Sequence, residues 1–441
     1  HTRFKCDWSS NVCSSDLVTT LPGFCREQYS VNTQASTGVH APGAEPESRY
    51  AWMRLWAALA LGTIGSVGMW SCVVALPAIQ KDFGVLRADA SLPFTLTMVG
   101  FGGGGILMGR LADRFHILVP VIVGGAILAL GYVLSSFAGN LWQFALAQAL
   151  IGLGSSATFG PLMADISHWF TRRRGIAVAI ASCGNYLSGV IWPPLIQHVI
   201  EGYGWRSAQF GVGVFCLLAM PPLMLALRRR PPVHAAAGVA TAKGSLASLG
   251  ISANTLMILL CIAGVACCVA MSMPQVHIVA YCGDLGYGPA RGAEMLSAML
   301  GFGLISRIAA GLIADRIGGL TALLLSSALQ GVALFLYLWF DSLISLYVIS
   351  ALFGLFQGGI VPMYAVIVRE FFAPQEAGTR LGIVLMSTLG GMALGGWMSG
   401  LVFDLTGSYQ AAFLNGLGWN LVNVSIVLWL LLRPRRQAVH A

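Results

Sequence analysis

Arg307 lies in an otherwise apolar and small-residue run, Gly301-Phe302-Gly303-Leu304-Ile305-Ser306-Arg307-Ile308-Ala309-Ala310-Gly311. Asp315 follows eight positions later, about 12 Å further along a helix. If the run crosses a bilayer, that depth is near the middle of a hydrocarbon core reaching about 15 Å from centre to edge. An arginine there costs roughly 3 kcal/mol even on the lenient insertion scale, so it must face a cavity and meet a partner. Guanidinium binds a carboxylate through two parallel hydrogen bonds, a geometry lysine cannot copy. A buried structural ion pair is the rival reading, but no Asp or Glu lies within reach in the same helix. The residue types therefore point to an anion site. His277, near the end of another apolar run, has an ordinary pKa of about 6.5 and suits a proton contact. A hydrogen-bonded structural histidine is an equal reading. Asn185, Tyr186, Gln357 and Tyr364 also fall inside apolar runs. They either line a cavity as donors or tie helices together.

A second constellation is repeated. Gly109-Arg110-Leu111-Ala112-Asp113-Arg114 recurs as Gly311-Leu312-Ile313-Ala314-Asp315-Arg316, 202 residues later. Asp82-Phe83-Gly84 recurs as Asp284-Leu285-Gly286, and Trp169-Phe170 as Phe371-Phe372, at the same offset. Gly204 to Phe210 matches Gly407 to Phe413 at 203. Four matches in register mark a duplicated chain, and parallel repeats are characteristic of transporters whose site lies where the halves meet. A glycine permits close helix approach, and an Asp–Arg pair at a helix end can cap a neighbour. Such a motif reads as a conformational latch. An ordinary solvated helix end, with an ion pair worth about 1 kcal/mol or less, is the plainer alternative.

The elements that position these residues follow from the apolar runs. The chain is 56% hydrophobic, only 10% charged, and has a mean hydropathy of +0.76, which excludes a soluble globular domain. Runs of about 20 apolar residues match a bilayer crossing. They fall near 54–79, 91–111, 117–138, 141–166, 175–200 and 207–227, then 254–281, 292–314, 319–340, 343–368, 379–403 and 410–432. The expected fold is an all-α membrane protein of twelve transmembrane helices in two six-helix bundles, residues 51–227 and 254–432. A cytoplasmic linker covers 228–253, and a cytoplasmic tail covers 433–441. The linker opens Arg228-Arg229-Arg230-Pro231-Pro232 and continues in Ala, Gly and Ser, a composition that builds no core.

Basic residues set the orientation. With the N-terminus inside, one face receives sixteen Lys and Arg, including Arg54, Arg110, Arg114, Arg172, Arg173, Arg174, Lys243, Arg316, Arg369 and Arg380. The other face receives only Lys81, Arg87, Arg206 and Arg291. Both termini are expected in the cytoplasm. The same distribution explains the net charge of +8 without nucleic acid. Seven cysteines lie in or beside apolar runs as small packing residues, and no Cys/His spacing suits a metal or calls for a cofactor. The glycines at 102–105, Gly390-Gly391 and Gly395-Gly396 are packing surfaces, not phosphate loops. Residues 1–50 are polar. The stretch from Cys6 to Leu17 reads as translated sequencing-adapter sequence or as part of a disordered tail, and neither carries function.

Across residues 52–433 the chain resembles the major facilitator superfamily, whose signature the two Gly-to-Arg motifs match. That resemblance implies that Asp165 and Glu370 pair with Arg114 and Arg316 as latch partners, unless they merely snorkel to the interface. More narrowly, Trp169-Phe170-Thr171-Arg172-Arg173-Arg174-Gly175-Ile176-Ala177 resembles the monocarboxylate-porter family and its bacterial oxalate/formate-type relatives. So do Gly184, Gly189, Pro193-Pro194-Leu195, Tyr203-Gly204-Trp205-Arg206-Ser207-Ala208 and the stretches Pro274 to His277 and Tyr281 to Gly286. In that family an arginine like Arg307 binds the substrate carboxylate. Two departures stand out. Gly303 occupies the place of an aspartate that many such porters use as a proton carrier, and the lysines that some carry in helix 1 or helix 11 are missing. One cation in the cavity favours a monoanion over a dicarboxylate.

The resemblance implies a secondary carrier of a small organic monocarboxylate, by proton symport or anion exchange. The expected setting is a bacterial inner membrane, and the expected state is monomeric. Efflux of drugs or amphipathic metabolites is the alternative, which would call for an aromatic cavity without a decisive cation. A membrane enzyme would need a catalytic cluster, and a sensor would need an extra domain; neither is evident.

Overall fold

A computed structural model describes residues 47–229 and 250–433. Among them the structure is helical, without strands. The helices are α1 (Arg49–Gly65), α2 (Val67–Phe83), α3 (Arg87–Arg114), α4 (Leu118–Ser136), α5 (Leu141–Ser156), α6 (Gly160–Trp169), α7 (Arg174–Ser182) and α8 (Gly184–Met224). They continue as α9 (Ala253–Asp284), α10 (Pro289–Ile317), α11 (Gly319–Trp339), α12 (Leu343–Gln357), α13 (Ile360–Phe371), α14 (Pro374–Thr406) and α15 (Tyr409–Leu432). Residues 1–46, most of the expected linker and the tail beyond Arg433 lie outside the described residues, as do Arg230, Lys243, Arg435 and Arg436.

Among the described residues, eleven helical runs are long and apolar enough to cross a membrane. The longest, Arg174–Leu227, turns at Gly204, whose φ of 81° and ψ of 162° are not helical. A side chain resists that backbone region, so a glycine marks the corner. Starts and stops elsewhere follow local chemistry. Ser48, Asn140, Ser252, Ser342 and Ser408 accept hydrogen bonds from the free N–H groups of the helices they precede. Gly84 and Gly407 close α2 and α14 in the left-handed conformation.

The duplication is visible in the packing. In the N-terminal helices α3 lies so close to α5 that Gly152 abuts the Thr97 carbonyl; in the C-terminal helices Gly354 of α12 abuts the Met299 carbonyl of α10. Both pairs are related by the 202-residue offset. The chain also interrupts its helices at matching places, after Ser156 and after Gln357. The glycine runs act as packing surfaces: Gly104 meets Ser156 and Leu153, and Gly391 and Gly395 meet Val265, Val269 and Ser272 of α9.

One end of the helices carries Arg114, Arg174, Arg228 and Arg316 and is called here the basic end. The opposite, far end carries the turns at Gly84, Gly204, Gly286 and Gly407.

Candidate functional site

The N-terminal helices meet the C-terminal ones along two main seams, α3 on α14 and α8 on α10. Both are tight from the far end to the middle. In the first, Asp404 accepts from the Arg87 and Ala88 backbone N–H groups at 2.9 and 2.7 Å, capping the start of α3 from across the seam. Thr95 donates to the Ala393 carbonyl at 3.0 Å, and Phe94 packs on Gly396. Contact runs on to Gly102 and Gly105 against Met386; a Cβ at Gly109 would meet no described residue within 4 Å. In the second seam Ser297 donates to the Val190 carbonyl at 2.8 Å, Leu300 sits on Gly189, and Tyr186 lies on Gly303. Arg307 reaches Ser182, and a Cβ at Gly311 would meet no described residue within 4 Å. Among the described residues, the hydrogen bonds and glycine contacts that join the halves run from the far end to the middle of the two seams.

The clasp at the far end was not legible as a site. Arg87, 7% exposed, bonds Tyr409 and forms an ion pair with Asp284 at 3.1 Å, with its guanidinium 4.8 Å from the Phe403 ring. Its partners lie 197 to 322 positions away in sequence, so no local spacing reveals them. The only hint was the repeat, and the repeat misleads here. Asp82, the counterpart of Asp284, pairs within its own half with Arg206 at 2.7 Å. His277 belongs to the far-end region. It is fully buried, and its Nε2 donates to the Gly396 carbonyl at 2.8 Å, tying α9 to α14. The geometry matches the hydrogen-bonded structural histidine; the ring does not reach the outer surface as a proton contact would.

Arg307 lies on the seam-facing side of α10. Nη1 donates to the Ser182 carbonyl at 3.2 Å, and the guanidinium carbon is 4.4 Å from the centre of the Tyr186 ring. Nε is buried without a hydrogen-bond partner. The side chain is half-buried, and it forms no ion pair with any described residue. Thus a charge deep in an apolar helix faces a neutral carbonyl and a neutral ring from the other half. Tyr186 also explains Gly303. A Cβ at 303 would come within 2.5 Å of the Tyr186 ring, so an aspartate there would have to push the ring aside.

The remaining polar candidates divide. Asn185 Oδ1 is buried and unpartnered, and its carbonyl accepts from the Trp70 indole at 3.3 Å. Gln357, at the end of α12 beside the Gly358–Gly303 contact, is wholly buried with both amide atoms unpartnered. Both fit an unfilled polar role. Tyr364 does not join them. Its hydroxyl donates to Asn423 at 3.4 Å, and Asn423 in turn donates to Ser327 at 2.8 Å, so it ties α13, α15 and α11 within the C-terminal helices.

At the basic end, Asp113, Arg114, Asp315 and Arg316 are exposed and form no ion pair with a described residue. The expected partnerships need correction. Asp165 does not pair with Arg114. It holds Arg54 of α1 through two bonds of 2.8 Å, in a pair 6% and 0% exposed. Arg54 also donates to the Arg229 carbonyl at 3.0 Å and lies 4.8 Å from the Trp169 ring. A guanidinium that is wholly buried requires a bidentate partner, and Asp165 supplies it. Glu370 does not pair with Arg316. It accepts from the Gly319 N–H at 3.1 Å, capping the start of α11, where a helix favours negative charge.

Comparison with known proteins agrees with this arrangement. The model of the Major Facilitator Superfamily matches residues 59–345 and 295–441. Among curated relatives, Monocarboxylate transporter 13 of Bos taurus is 30% identical over 383 residues, covering 83% of this chain and 86% of its own. Monocarboxylate transporter 11 of Homo sapiens is 28% identical over 393 residues, covering 85% and 81%. Among solved structures, a nucleoside transporter superposes with a TM-score of 0.70 at 13% identity, covering 85% of this chain and 99% of that one. A bacterial homologue of the human lysosomal transporter Spinster, described as inward-facing and unoccupied, gives 0.64 at 15% identity, covering 88% and 96%.

Proposed function

The chain belongs to the Major Facilitator Superfamily, a family of transporters and not of enzymes, and from that premise we propose that it carries a small organic monocarboxylate across a membrane by alternating access. Arg307 is the observation that carries this reading: a half-buried guanidinium on the seam between the halves, opposed by no carboxylate among the described residues. A visiting carboxylate supplies the missing counter-charge and takes up the unpartnered Nε. The names of the monocarboxylate transporter relatives support the same substrate class. Asn185, Tyr186 and Gln357 border the substrate, and coupling is by proton symport or anion exchange.

In this reading two six-helix bundles, 51–227 and 254–432, cross the membrane twelve times with both termini cytoplasmic. The eleven apolar runs, one of them bent at Gly204, support that count. The excess of basic residues at one end supports the orientation. The basic end is then the cytoplasmic end, and the structure is open to the cytoplasm. Asp113, Arg114, Asp315 and Arg316 act as latches that engage when that end closes, which accords with their exposure here. The proposed setting is a bacterial inner membrane, with the monomer as the working unit. The test is uptake of radiolabelled monocarboxylates into proteoliposomes. Arg307→Lys and Arg307→Leu should both abolish uptake while inserting normally; transport retained in the Leu variant removes the anion site.

A further inference from the structure

The two halves differ where α4 meets the part of α8 beyond Gly204. At the repeat offsets of 202 and 203, these helices correspond to α11 and α15. In the C-terminal half the pair is closed by polar side chains. The Ser327 hydroxyl accepts from Asn423 at 2.8 Å and the Ser327 carbonyl from Asn420 at 3.0 Å, and all three residues are buried. Their counterparts in the N-terminal half are Gly125, Met220 and Leu217, which offer no side-chain hydrogen bond. There the helices leave a groove of about 340 Å³, lined among others by Ile122, Gly125, Leu217, Met220 and Met224.

The groove has a direction and a charge. Ile122 and Leu217 are exposed, so it opens on the outer apolar surface, which in a membrane protein faces lipid. None of the seam residues around Arg307 lines it. From Arg228 to Cys216 it follows twelve positions of the chain, about 18 Å, close to the 15 Å between the edge and the centre of a hydrocarbon core. Met220 and Met224 lie over Gly125, and unbranched thioethers adapt to an irregular chain.

Arg228 lines the basic-end mouth, exposed and in no ion pair with a described residue. His116 braces that mouth. Its Nδ1 accepts from the Leu118 N–H at 3.2 Å, so Nε2 carries the proton and donates to the Arg229 carbonyl at 3.3 Å, tying the start of α4 to the end of α8. The described acids of this half at the basic end are Glu47, Asp113 and Asp165. Glu47 accepts from the Arg173 N–H, Asp165 holds Arg54, and Asp113 stands exposed on the last turn of α3; none of them lines the groove. The counterpart of Arg228 in the other half is Leu431. A cationic mouth on an apolar slot one leaflet deep complements a molecule with a negative head and a hydrocarbon tail.

We propose that the α4–α8 groove binds an anionic phospholipid, with one acyl chain along Gly125, Met220 and Met224 and the phosphate against Arg228. The lipid braces α4 against α8 where the other half uses Ser327, Asn420 and Asn423. A free phosphate leaves the slot unfilled, and a zwitterionic lipid brings its own cation beside Arg228. The site needs only the membrane setting and is independent of the substrate.

The test uses the full-length protein, purified free of lipid in dodecyl maltoside and titrated with dioleoylphosphatidylglycerol, dioleoylphosphatidylcholine or glycerol 1-phosphate. Native mass spectrometry counts bound molecules, and the unfolding midpoint reports stabilisation. One equivalent of the anionic lipid should bind about fivefold or more tightly than the zwitterionic one, the scale expected of one arginine near an anionic headgroup. Arg228→Gln should erase that preference. Ala126→Trp, a change at an exposed position lining the groove, should remove the tight equivalent of either lipid while the protein still folds. Equal binding of the two lipids, a preference unchanged in Arg228→Gln, or a tight equivalent retained in Ala126→Trp overturns the proposal. So does stabilisation by glycerol 1-phosphate equal to that by the anionic lipid, which would mark an ion site without a chain. Each of these results leaves the monocarboxylate reading standing, since no substrate is present.

Discussion

Arg54 and Arg307 are both guanidiniums set among apolar helices, and they differ in what answers the charge. Arg54 is sealed from water and locked by two bonds to Asp165, so its role is architectural. Removing one partner of such a pair leaves a stranded charge and costs about 3–5 kcal/mol, whereas replacing both by apolar groups of similar size is often neutral. Arg54→Met should therefore lower the thermal unfolding midpoint sharply, and Arg54→Met with Asp165→Leu should recover most of the loss. A single variant as stable as the wild type would contradict that. Among the described residues nothing charged answers Arg307, whose guanidinium lies against Tyr186, which is itself seated on Gly303. Gly303→Ala should displace the ring and weaken substrate uptake, read as a higher KM in proteoliposomes. Unchanged kinetics would show that Tyr186 does not aim the guanidinium.

At the scale of elements, glycines decide where helices touch and where they turn. Gly204 sits at φ 81° and ψ 162°, a region that costs other residues about 1–3 kcal/mol. Gly204→Ala should lower thermal stability by that amount, measured on the purified protein; no change would mean that the turn relaxes freely. Much of this level was legible in the sequence. Apolar runs located the helices because a bilayer demands about 20 apolar residues per crossing, and the 202-residue repeat announced the paired seams. The interruptions after Ser156 and Gln357 were not read as breaks, because each lies within one apolar run, although Gly160-Pro161 and Gly358-Gly359 with Pro362 stand at them. Partnerships were the weakest inference. Asp165 was assigned to Arg114 by resemblance, but it faces α1, and the bare spacing of 111 residues between Arg54 and Asp165 carries no signal. Glu370 was assigned to Arg316, yet the nearer need was the uncapped N–H of Gly319.

Over the whole molecule, the far-end clasp and the exposed basic-end motifs fit one state of the carrier proposed above. Asp404 caps α3 across the seam, and Arg87 bonds Asp284 and Tyr409. Arg87→Ala with Asp404→Asn should free the far end. The measurement is labelling of a cysteine placed at Thr95, on the same seam, by a membrane-impermeant reagent added from outside; labelling should rise, and an unchanged rate would show that the clasp does not hold the halves. Asp113→Asn should slow turnover with little change in KM if Asp113 steadies the alternate state as proposed; a loss confined to affinity would contradict the latch. The central claim of the proposed function is that Arg307 binds the substrate carboxylate. The most direct test is thermal stabilisation of the purified protein by small monocarboxylates, since a ligand at a hundred times its Kd adds about 2.7 kcal/mol by mass action. The wild type should be stabilised, and Arg307→Leu and Arg307→Lys, melting alike without ligand, should not. Equal stabilisation of the Leu variant would show that the anion binds elsewhere.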